Sequence, residues 1–319
     1  MEWKTRITDL LKIKYPIIQG GLAHLAYADL AAAVSNAGGL GQITAMSLEN
    51  EEQLRKEIKR VKTLTTKPFG VNFAIGQHNR PFEHMVQVAI DEDVPVISVT
   101  GGNPKGVLDM VKDTNIKKLV LVAALRQAQK AEELGADAVM VVGQEGGGHI
   151  GRADTGTIVL TPRVVDHVSI PVISSGGIVD GRGMMAALAL GAEGIEMGTR
   201  FIATVECTYA HSKYKQAILE ANETSTVVIK RTIGAPARAL KNPWTDKILD
   251  IEEKDPNYEA LKDYISGFAN KQYIYDGKEN EGFGWAGQGV SGINKVVSVK
   301  ELFDEMISEA VQIRKKWQN

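Results

Sequence analysis

Two glycine-rich turns contain the residue types that bind phosphate in many α/β proteins. The turns follow the apolar runs 171–174 and 194–197. Their candidate binding residues are Ser175, Gly176, Gly177, Gly198 and Thr199. Because glycine has no side chain, the backbone can approach an anion and its N–H groups can converge on it. The two turns therefore predict a phosphate site; the alternative is a pair of ordinary turns between strand and helix.

A histidine in a third glycine-rich loop could move a proton. His149 lies in the segment GQEGGGHIGR at 143–152, directly after Gly147 and Gly148. Histidine titrates near neutral pH, so it can take a proton from a carbon acid or give one to a developing anion. We interpret His149 as catalytic; the alternative is a structural histidine bonded to the backbone. The histidines without such a setting are His24, His78, His84, His167 and His211.

Polar and small residues end two further apolar runs, 16–19 and 69–73. The candidates there are Gln19, Gly20, Gly21, Leu22, Asn72 and Ala74. Side-chain amides both donate and accept hydrogen bonds, as the polar edge of an isoalloxazine ring requires. A single glutamine or asparagine is more often a loop organiser. Together with the phosphate turns, however, these strand ends predict a site for flavin mononucleotide, FMN.

Two segments, 146–151 and 287–292, match the dinucleotide pattern G-x-G-x-x-G. A dinucleotide fingerprint also needs a strand before it, a helix directly after it and an acidic residue about 20 positions later. Neither segment meets all three conditions. We therefore reject a dinucleotide-binding fold.

Four basic residues lie close together in the sequence between 230 and 241. They are Lys230, Arg231, Arg238 and Lys241. Exposed charge is the usual state of such residues, so the first interpretation is a solvated face. The alternative is a docking patch for a nucleotide phosphate or an acidic carrier protein.

The elements that must position these residues are eight short apolar runs separated by amphipathic helices. The runs are 16–19, 40–43, 69–73, 95–99, 118–122, 136–142, 171–174 and 194–197. Their hydrophobicity is continuous, which indicates parallel strands covered on both faces. Eight such units in about 200 residues predict an α/β fold of the (β/α)8 TIM-barrel type, with an open doubly wound sheet as the alternative.

The βα pattern stops after the eighth run. Residues 206–285 are polar and mainly helical in character, so we predict a helical insertion subdomain there. The barrel would then comprise residues 1–205 and 286–319. A capping box at Ser298 and Glu301 predicts the start of the last helix.

Composition limits the partners and the compartment. The 319 residues are 44% hydrophobic and carry a formal net charge of -2, so no nucleic acid or membrane partner is expected. Cys207 is the sole cysteine, which fits a reducing cytoplasm, and no metal site is predicted. We expect a cytoplasmic protein with a small-molecule substrate. A homodimer through the insertion is compatible with the sequence.

The chain resembles the flavin-dependent barrel family that joins nitronate monooxygenase and the flavin-type enoyl-acyl-carrier-protein reductase. The motifs that carry the likeness are PIIQGG at 16–21, NAGGLGQI at 36–43, KPFGVN at 67–72, GGGHIG at 146–151, SSGGIVDGRG at 174–183, GTRF at 198–201 and AGQ at 286–288. The resemblance implies His149 as the catalytic histidine and adds Gln288 to the cofactor-binding candidates. It also implies FMN contacts at Gly21, Leu22, Asn72, Gly147, Ser175, Gly176, Gly177, Gly198 and Thr199.

The same resemblance implies several activities. We favour nitronate oxidation, in which an alkyl nitronate and O2 yield a carbonyl compound and nitrite without nicotinamide. The first alternative is an enoyl reductase that uses NADH or NADPH and acyl carrier protein. A third is an NAD(P)H:quinone reductase, although relatives of that branch carry an acid where this chain has Val142. A flavin-binding barrel without catalysis is the last.

Overall fold

The computed structural model describes residues 2–76 and 81–316 of the chain. Its strands are β1 (Ile17–Gln19), β2 (Gly41–Thr44), β3 (Phe69–Ala74), β4 (Val96–Thr100), β5 (Lys117–Val122), β6 (Ala138–Val142), β7 (Gly148–His149), β8 (Val172–Ser175), β9 (Gly194–Met197), β10 (Thr226–Ile229) and β11 (Ala237–Leu240).

Eight of these strands form one parallel sheet in the order β1-β9-β8-β6-β5-β4-β3-β2. The two ends of the sheet meet where Gln19 N donates to Leu40 O at 2.9 Å, beside a parallel bridge between Ile18 and Leu40. The sheet is therefore a nearly closed barrel. This confirms the predicted (β/α)8 fold, and each of the eight apolar runs overlaps one barrel strand.

The helices follow the strands as the sequence pattern predicts. They are α1 (Arg6–Leu11), α2 (Ala28–Ala37), α3 (Glu51–Leu64), α4 (Glu83–Asp91), α5 (Lys105–Val111), α6 (Leu125–Glu133), α7 (Thr157–Val165), α8 (Gly181–Ala189), α9 (Thr199–Ile202), α10 (Ser212–Glu220), α11 (Pro243–Lys254), α12 (Tyr258–Leu261), α13 (Gly267–Ile274) and α14 (Val299–Lys316). Short 3-10 turns occupy Ala45–Ser47 and Gln288–Gly292. The predicted capping box is confirmed, since Glu301 N donates to Ser298 Oγ and Ser298 N donates to Glu301.

Apolar side chains that point into the barrel fill the half nearest the amino ends of the strands. The carboxyl ends of the strands are surrounded by loops. Ile18, Leu119 and Ile173 are fully buried in the amino-end half with Ile7 and Leu11 of α1. The start of α1 is joined to the amino end of β9, because Thr5 Oγ1 donates to the carbonyl of Glu193. This end of the barrel is thus closed by α1, and a ligand site is left to the opposite end.

The segment 206–285 contains helices α10 to α13, as expected, and also two strands that the sequence analysis did not predict. Strand β10 pairs with β11, and β11 pairs with β7, so the three strands form an antiparallel sheet. In that sheet Ala237 lies opposite His149, and Arg238 lies opposite Gly148. A separate apolar cluster supports the segment, with Ile229, Ile248, Leu261 and Phe283 at its centre. The insertion therefore holds the histidine loop directly.

No helix within the described ranges combines the length and the apolar character needed to cross a bilayer.

Candidate active site

The loops at the carboxyl ends of the barrel strands form one connected rim, which we call the rim loops. They comprise residues 20–22, 72–76, 143–149, 175–177, 198–199 and 286–288. Each predicted binding residue lies in or beside one of them.

The first contact joins the ends of β1 and β3. A Cβ atom added at Gly21 would lie 2.4 Å from Oδ1 of Asn72. The Asn72 amide is held in place because its Nδ2 donates to Ser98 Oγ at 2.9 Å. Position 21 therefore requires glycine, because its backbone packs directly against the Asn72 amide. Ala74 ends β3 and is exposed on the rim.

Gln19 is bonded within the protein rather than free for a ligand. Its Oε1 accepts from Gln42 N at 2.9 Å, and Gln42 Nε2 donates to Gln19 O at 2.8 Å. Its own Nε2 donates to Gly20 O. Gln19 thus fixes the Gly20 turn. Two buried polar atoms of the neighbouring β2, Gln42 Oε1 and Thr44 Oγ1, have no hydrogen-bond partner among the described residues.

Glu196 is a buried carboxyl group beneath the β1 turn that the sequence analysis missed. A Cβ atom added at Gly20 would lie 2.9 Å from its Oε1. Burial raises the pKa of Glu196, and a hydrogen bond with Ser175 lowers it in part. The only sequence signal was a lone acid in the apolar run GIEM.

The two predicted phosphate turns lie side by side, as β8 and β9 are neighbours. Gly176 and Gly177 have φ values of +101° and +75°, which favour glycine. Leu22, which follows β1, packs against the second turn: a Cβ atom added at Gly198 would lie 3.3 Å from its Cδ2. Thr199 accepts a hydrogen bond from Gly287 N at 2.9 Å on its Oγ1.

The segment 286–288 joins the phosphate turns to the histidine loop. A Cβ atom at Gly147 would lie 2.6 Å from Gly287 N, so only glycine allows these two backbones to meet. Gln288 N donates to Glu145 O at 2.8 Å. The predicted residues from six separate sequence segments therefore share one rim.

His149 is exposed on this rim, and a lysine from the insertion lies directly against it. Nζ of Lys230 is 2.6 Å from Nε2 of His149. The Trp285 ring lies beside both, with its centroid 5.7 Å from the His149 centroid and 5.7 Å from Lys230 Nζ. The sequence analysis did not connect Lys230 with His149. The signal was present in the two β-rich runs TVVI and ARAL, which flank a turn containing Gly234 and Pro236.

The charges of this pair follow from its surroundings. His149 is exposed as a residue, but its ring packs against Lys230 and Trp285. This partial loss of hydration lowers the pKa of the His149 imidazole, and the positive charge of Lys230 lowers it further. Burial likewise lowers the pKa of Lys230 to about 8, with partial compensation from Glu252. At neutral pH the pair is therefore a charged lysine and a neutral imidazole.

The interpretation of the four basic residues as one solvated face or docking patch is wrong. Lys230 and Arg238 are only 8% and 6% exposed. Arg238 is bonded internally, since its Nε donates to Gln144 O at 3.1 Å and its Nη1 donates to Thr226 Oγ1 at 3.1 Å. Arg231 pairs instead with Asp154, and Lys241 is exposed.

Of the other histidines, one lies at the rim. His24 follows Leu22 and Ala23, and its ring centroid is 6.4 Å from that of Tyr275 in the insertion. His78 lies outside the described residues. His167 is exposed at the end of α7, where its Nδ1 contacts Arg163 O at 2.8 Å.

These contacts fit a flavin. The glycine-lined ends of β1, β8 and β9 leave room for a ligand backbone, and the orphaned atoms of Gln42 and Thr44 need a polar partner. The fold and this site are those expected of a flavin-dependent oxidoreductase barrel. A family model described as nitronate monooxygenase matches residues 4–81 and 74–309. The chain belongs to the nitronate monooxygenase family.

Known proteins from three bacteria resemble the chain over nearly its whole length. A protein described as a probable nitronate monooxygenase from Staphylococcus saprophyticus is 32% identical and covers 98% of this chain and 99% of its own. The structure of FabK from Thermotoga maritima is 40% identical, with a TM-score of 0.92 over 99% of this chain and 98% of that one. Nitroalkane oxidase from Streptomyces ansochromogenes is 26% identical, with a TM-score of 0.82 over 98% of this chain and 100% of that one.

Proposed function

We propose that the chain binds FMN at the rim loops and oxidises alkyl nitronates with O2 to a carbonyl compound and nitrite. The observation that carries the proposal is the Lys230–His149 pair beside the glycine-lined rim. A nitronate is an anion, and this pair offers it a positive charge and an N–H donor. Membership of the nitronate monooxygenase family supports the same activity.

Each part of the rim has a role in this proposal. The backbone N–H groups of the two turns would hold the FMN phosphate through Ser175, Gly176, Gly177, Gly198 and Thr199. The flavin ring would lie against Gly20, Gly21, Leu22, Asn72 and Ala74, with Gly147, Gly148 and Gln288 along its open side. Gln19 would act by fixing the β1 turn. Bound FMN supplies the electron transfer and the oxygen chemistry.

The protein residues would orient the substrate rather than remove a proton from it. An imidazole whose pKa is lowered from its ordinary value is a weaker base. A neutral nitroalkane needs a base for its α-proton, whereas a nitronate has already lost that proton. His149 and Lys230 would therefore hold the nitronate oxygen near the flavin and stabilise its charge.

Enoyl-acyl-carrier-protein reduction is the second candidate, and the likeness to FabK favours it. In that reaction NADH or NADPH would reduce FMN, and hydride would pass to the β-carbon of an enoyl thioester. His149 would then donate to the thioester carbonyl or its enolate. Acyl carrier protein would be the partner that presents the substrate.

One panel of assays separates these activities. Purified FMN-loaded protein is mixed with propionate 3-nitronate and O2 without nicotinamide, and oxygen uptake and nitrite are measured. In parallel, NADH and NADPH oxidation is followed with an enoyl thioester and with a quinone. We expect nitronate-dependent oxygen uptake without nicotinamide. Nicotinamide oxidation that requires the enoyl thioester, with no nitronate turnover, would replace the proposal by the reductase.

A further inference from the structure

We propose that Lys230 is a positioning residue that sets the proton on His149: its ammonium donates to Nε2, so the imidazole meets the substrate as an Nδ1–H donor. The lysine belongs to the insertion, whereas the histidine belongs to a barrel loop. The identity of the substrate rests on the proposed function, but the proton arrangement does not.

Among the residues that the structure describes, the ammonium has one hydrogen-bond partner. Nζ of Lys230 is 2.6 Å from His149 Nε2. In the described part of the chain no carboxylate lies at ion-pair distance from it, although Glu252 is close enough to raise its pKa in part. A lysine ammonium can only donate. Nε2 must therefore accept, and the ring proton of a neutral imidazole must lie on Nδ1.

The backbone at Lys230 is strained in a way that supports a functional role. Its φ value is +67°, a region that residues with a side chain rarely adopt. The carboxylate of Glu252, which is buried, holds this conformation by accepting from Lys230 N at 2.8 Å and from Thr232 N at 3.0 Å. Such strain persists where surrounding contacts enforce it, and it is concentrated at functional sites. At position 230 the strained backbone directs the buried lysine side chain towards the His149 imidazole.

The arrangement also provides a balanced proton transfer. When His149 gives its Nδ1 proton to a developing anion, the Nδ1–H bond breaks and a bond from that proton to the substrate forms. In the same step Lys230 passes a proton to Nε2, which breaks an Nζ–H bond and forms an Nε2–H bond, so that no imidazolate is formed. The products are a neutral lysine and a neutral imidazole. No oxidant or additional reactant is required.

Other charged groups belong to the elements that carry the pair or pack against it. They are Glu145, Arg152 and Asp154 on the histidine loop and its continuation, Arg231 and Arg238 in the insertion sheet and its turn, and Glu252 on α11. Among charged groups, Lys230 is the one that lowers the pKa of His149. Removal of its charge should therefore raise that pKa.

Nuclear magnetic resonance of the histidine ring tests the proposal directly. Protein labelled with 15N-histidine is titrated with pH, and His149 is assigned by comparison with His149→Asn. The wild type should show a protonated Nδ1 and an unprotonated Nε2 at pH 7, with a pKa well below the ordinary value of about 6.5. In Lys230→Met this pKa should rise and the tautomer preference should be lost. Lys230→Arg should preserve the charge effect.

Two further variants separate this role from folding. Lys230→Gly removes the side chain at a position where glycine suits the backbone, so the fold should be retained while the His149 pKa rises. Lys241→Met changes an exposed lysine of the insertion and should leave His149 unchanged. An Nε2–H tautomer in the wild type, or an unaltered His149 titration in both Lys230→Met and Lys230→Gly, would overturn the proposal. Neither result depends on which substrate the enzyme uses.

The activity profile gives a second readout in the FMN-loaded enzyme, with whichever substrate the assays identify. The wild-type kcat/KM should fall as pH rises through about 8, where Lys230 loses its proton. Lys230→Met should have a lower kcat/KM and lack that decline. A decline that persists unchanged in Lys230→Met would contradict the role of this lysine.

Discussion

Replacement of His149 by alanine should lower kcat/KM by about 10²- to 10³-fold, the usual loss when a hydrogen-bond donor to the reacting negative charge is removed. The protein should remain yellow, because the proposed phosphate turns lie on β8 and β9 and not on the histidine loop. Steady-state oxygen uptake and the flavin absorbance of the purified variant give the two quantities. Loss of activity with retained flavin is the expected combination.

The matched control is His167→Ala. His167 is exposed just after the end of α7, and its ring Nδ1 contacts the backbone carbonyl of Arg163. Its replacement should leave both turnover and flavin content unchanged. Turnover by His149→Ala equal to that of His167→Ala would remove His149 from the mechanism.

The second large effect is expected on flavin binding at Gly176. A Cβ atom there would lie 2.9 Å from Thr157 Oγ1 and 3.2 Å from Gly146 N, at a φ of +101°. Gly176→Ala should therefore displace the turn whose N–H groups would hold the phosphate. Since a hydrogen bond to a charged group contributes about 1.5–3 kcal/mol, FMN affinity should fall about 10- to 100-fold. Fluorescence titration with FMN measures the change.

Gly135→Ala separates strain from ligand binding. Gly135 also has a positive φ, +84°, but nothing lies within 4 Å of an added Cβ atom. It precedes β6 at the opposite end of the barrel. Both variants should lose about 1–2 kcal/mol of stability from the left-handed backbone. If Gly176→Ala bound FMN as tightly as Gly135→Ala, the phosphate would lie elsewhere.

The barrel could be predicted from the sequence because its strands are buried on both faces. A run such as Val172, Ile173 and Ser174 is continuous in burial, and turn residues bound it on each side. The glycine turns were predictable for a related reason. Each turn directly follows its strand in the sequence, so it can be recognised locally. The carboxyl ends of the parallel strands lie at the same end of the barrel, however far apart the strands are in the sequence.

The insertion sheet and Lys230 depend on contacts that are distant in sequence. Lys230 looks like a surface residue in isolation, since lysine is rarely buried without a partner. Its burial follows from the pairing of β11 with β7, which joins residues 237–238 to residues 148–149. Local composition does not encode that pairing. The mainly helical pattern predicted for the insertion also hid the short runs of β10 and β11.

Gln19 shows the same limit within the candidate site. Its residue type suits a flavin edge, and the sequence analysis placed it there. The structure engages both ends of its amide within β1, β2 and the Gly20 turn. Whether an amide faces a ligand or the protein is decided by the neighbouring strand, here through Gln42.

The insertion is therefore part of the chemistry that we propose. It supplies Lys230, it carries the strand that pairs with the His149 segment, and Trp285 is its last residue before the return to the barrel. A deletion of this segment would remove both the lysine and the support of the histidine loop.

A crystal structure of the protein grown with FMN tests the central claim most directly. The phosphate should lie on the backbone N–H groups of Gly177 and Thr199, with the ring beside Asn72 and within reach of His149. FMN bound with its phosphate away from these two turns, or with its ring remote from the Lys230–His149 pair, would contradict the proposed site.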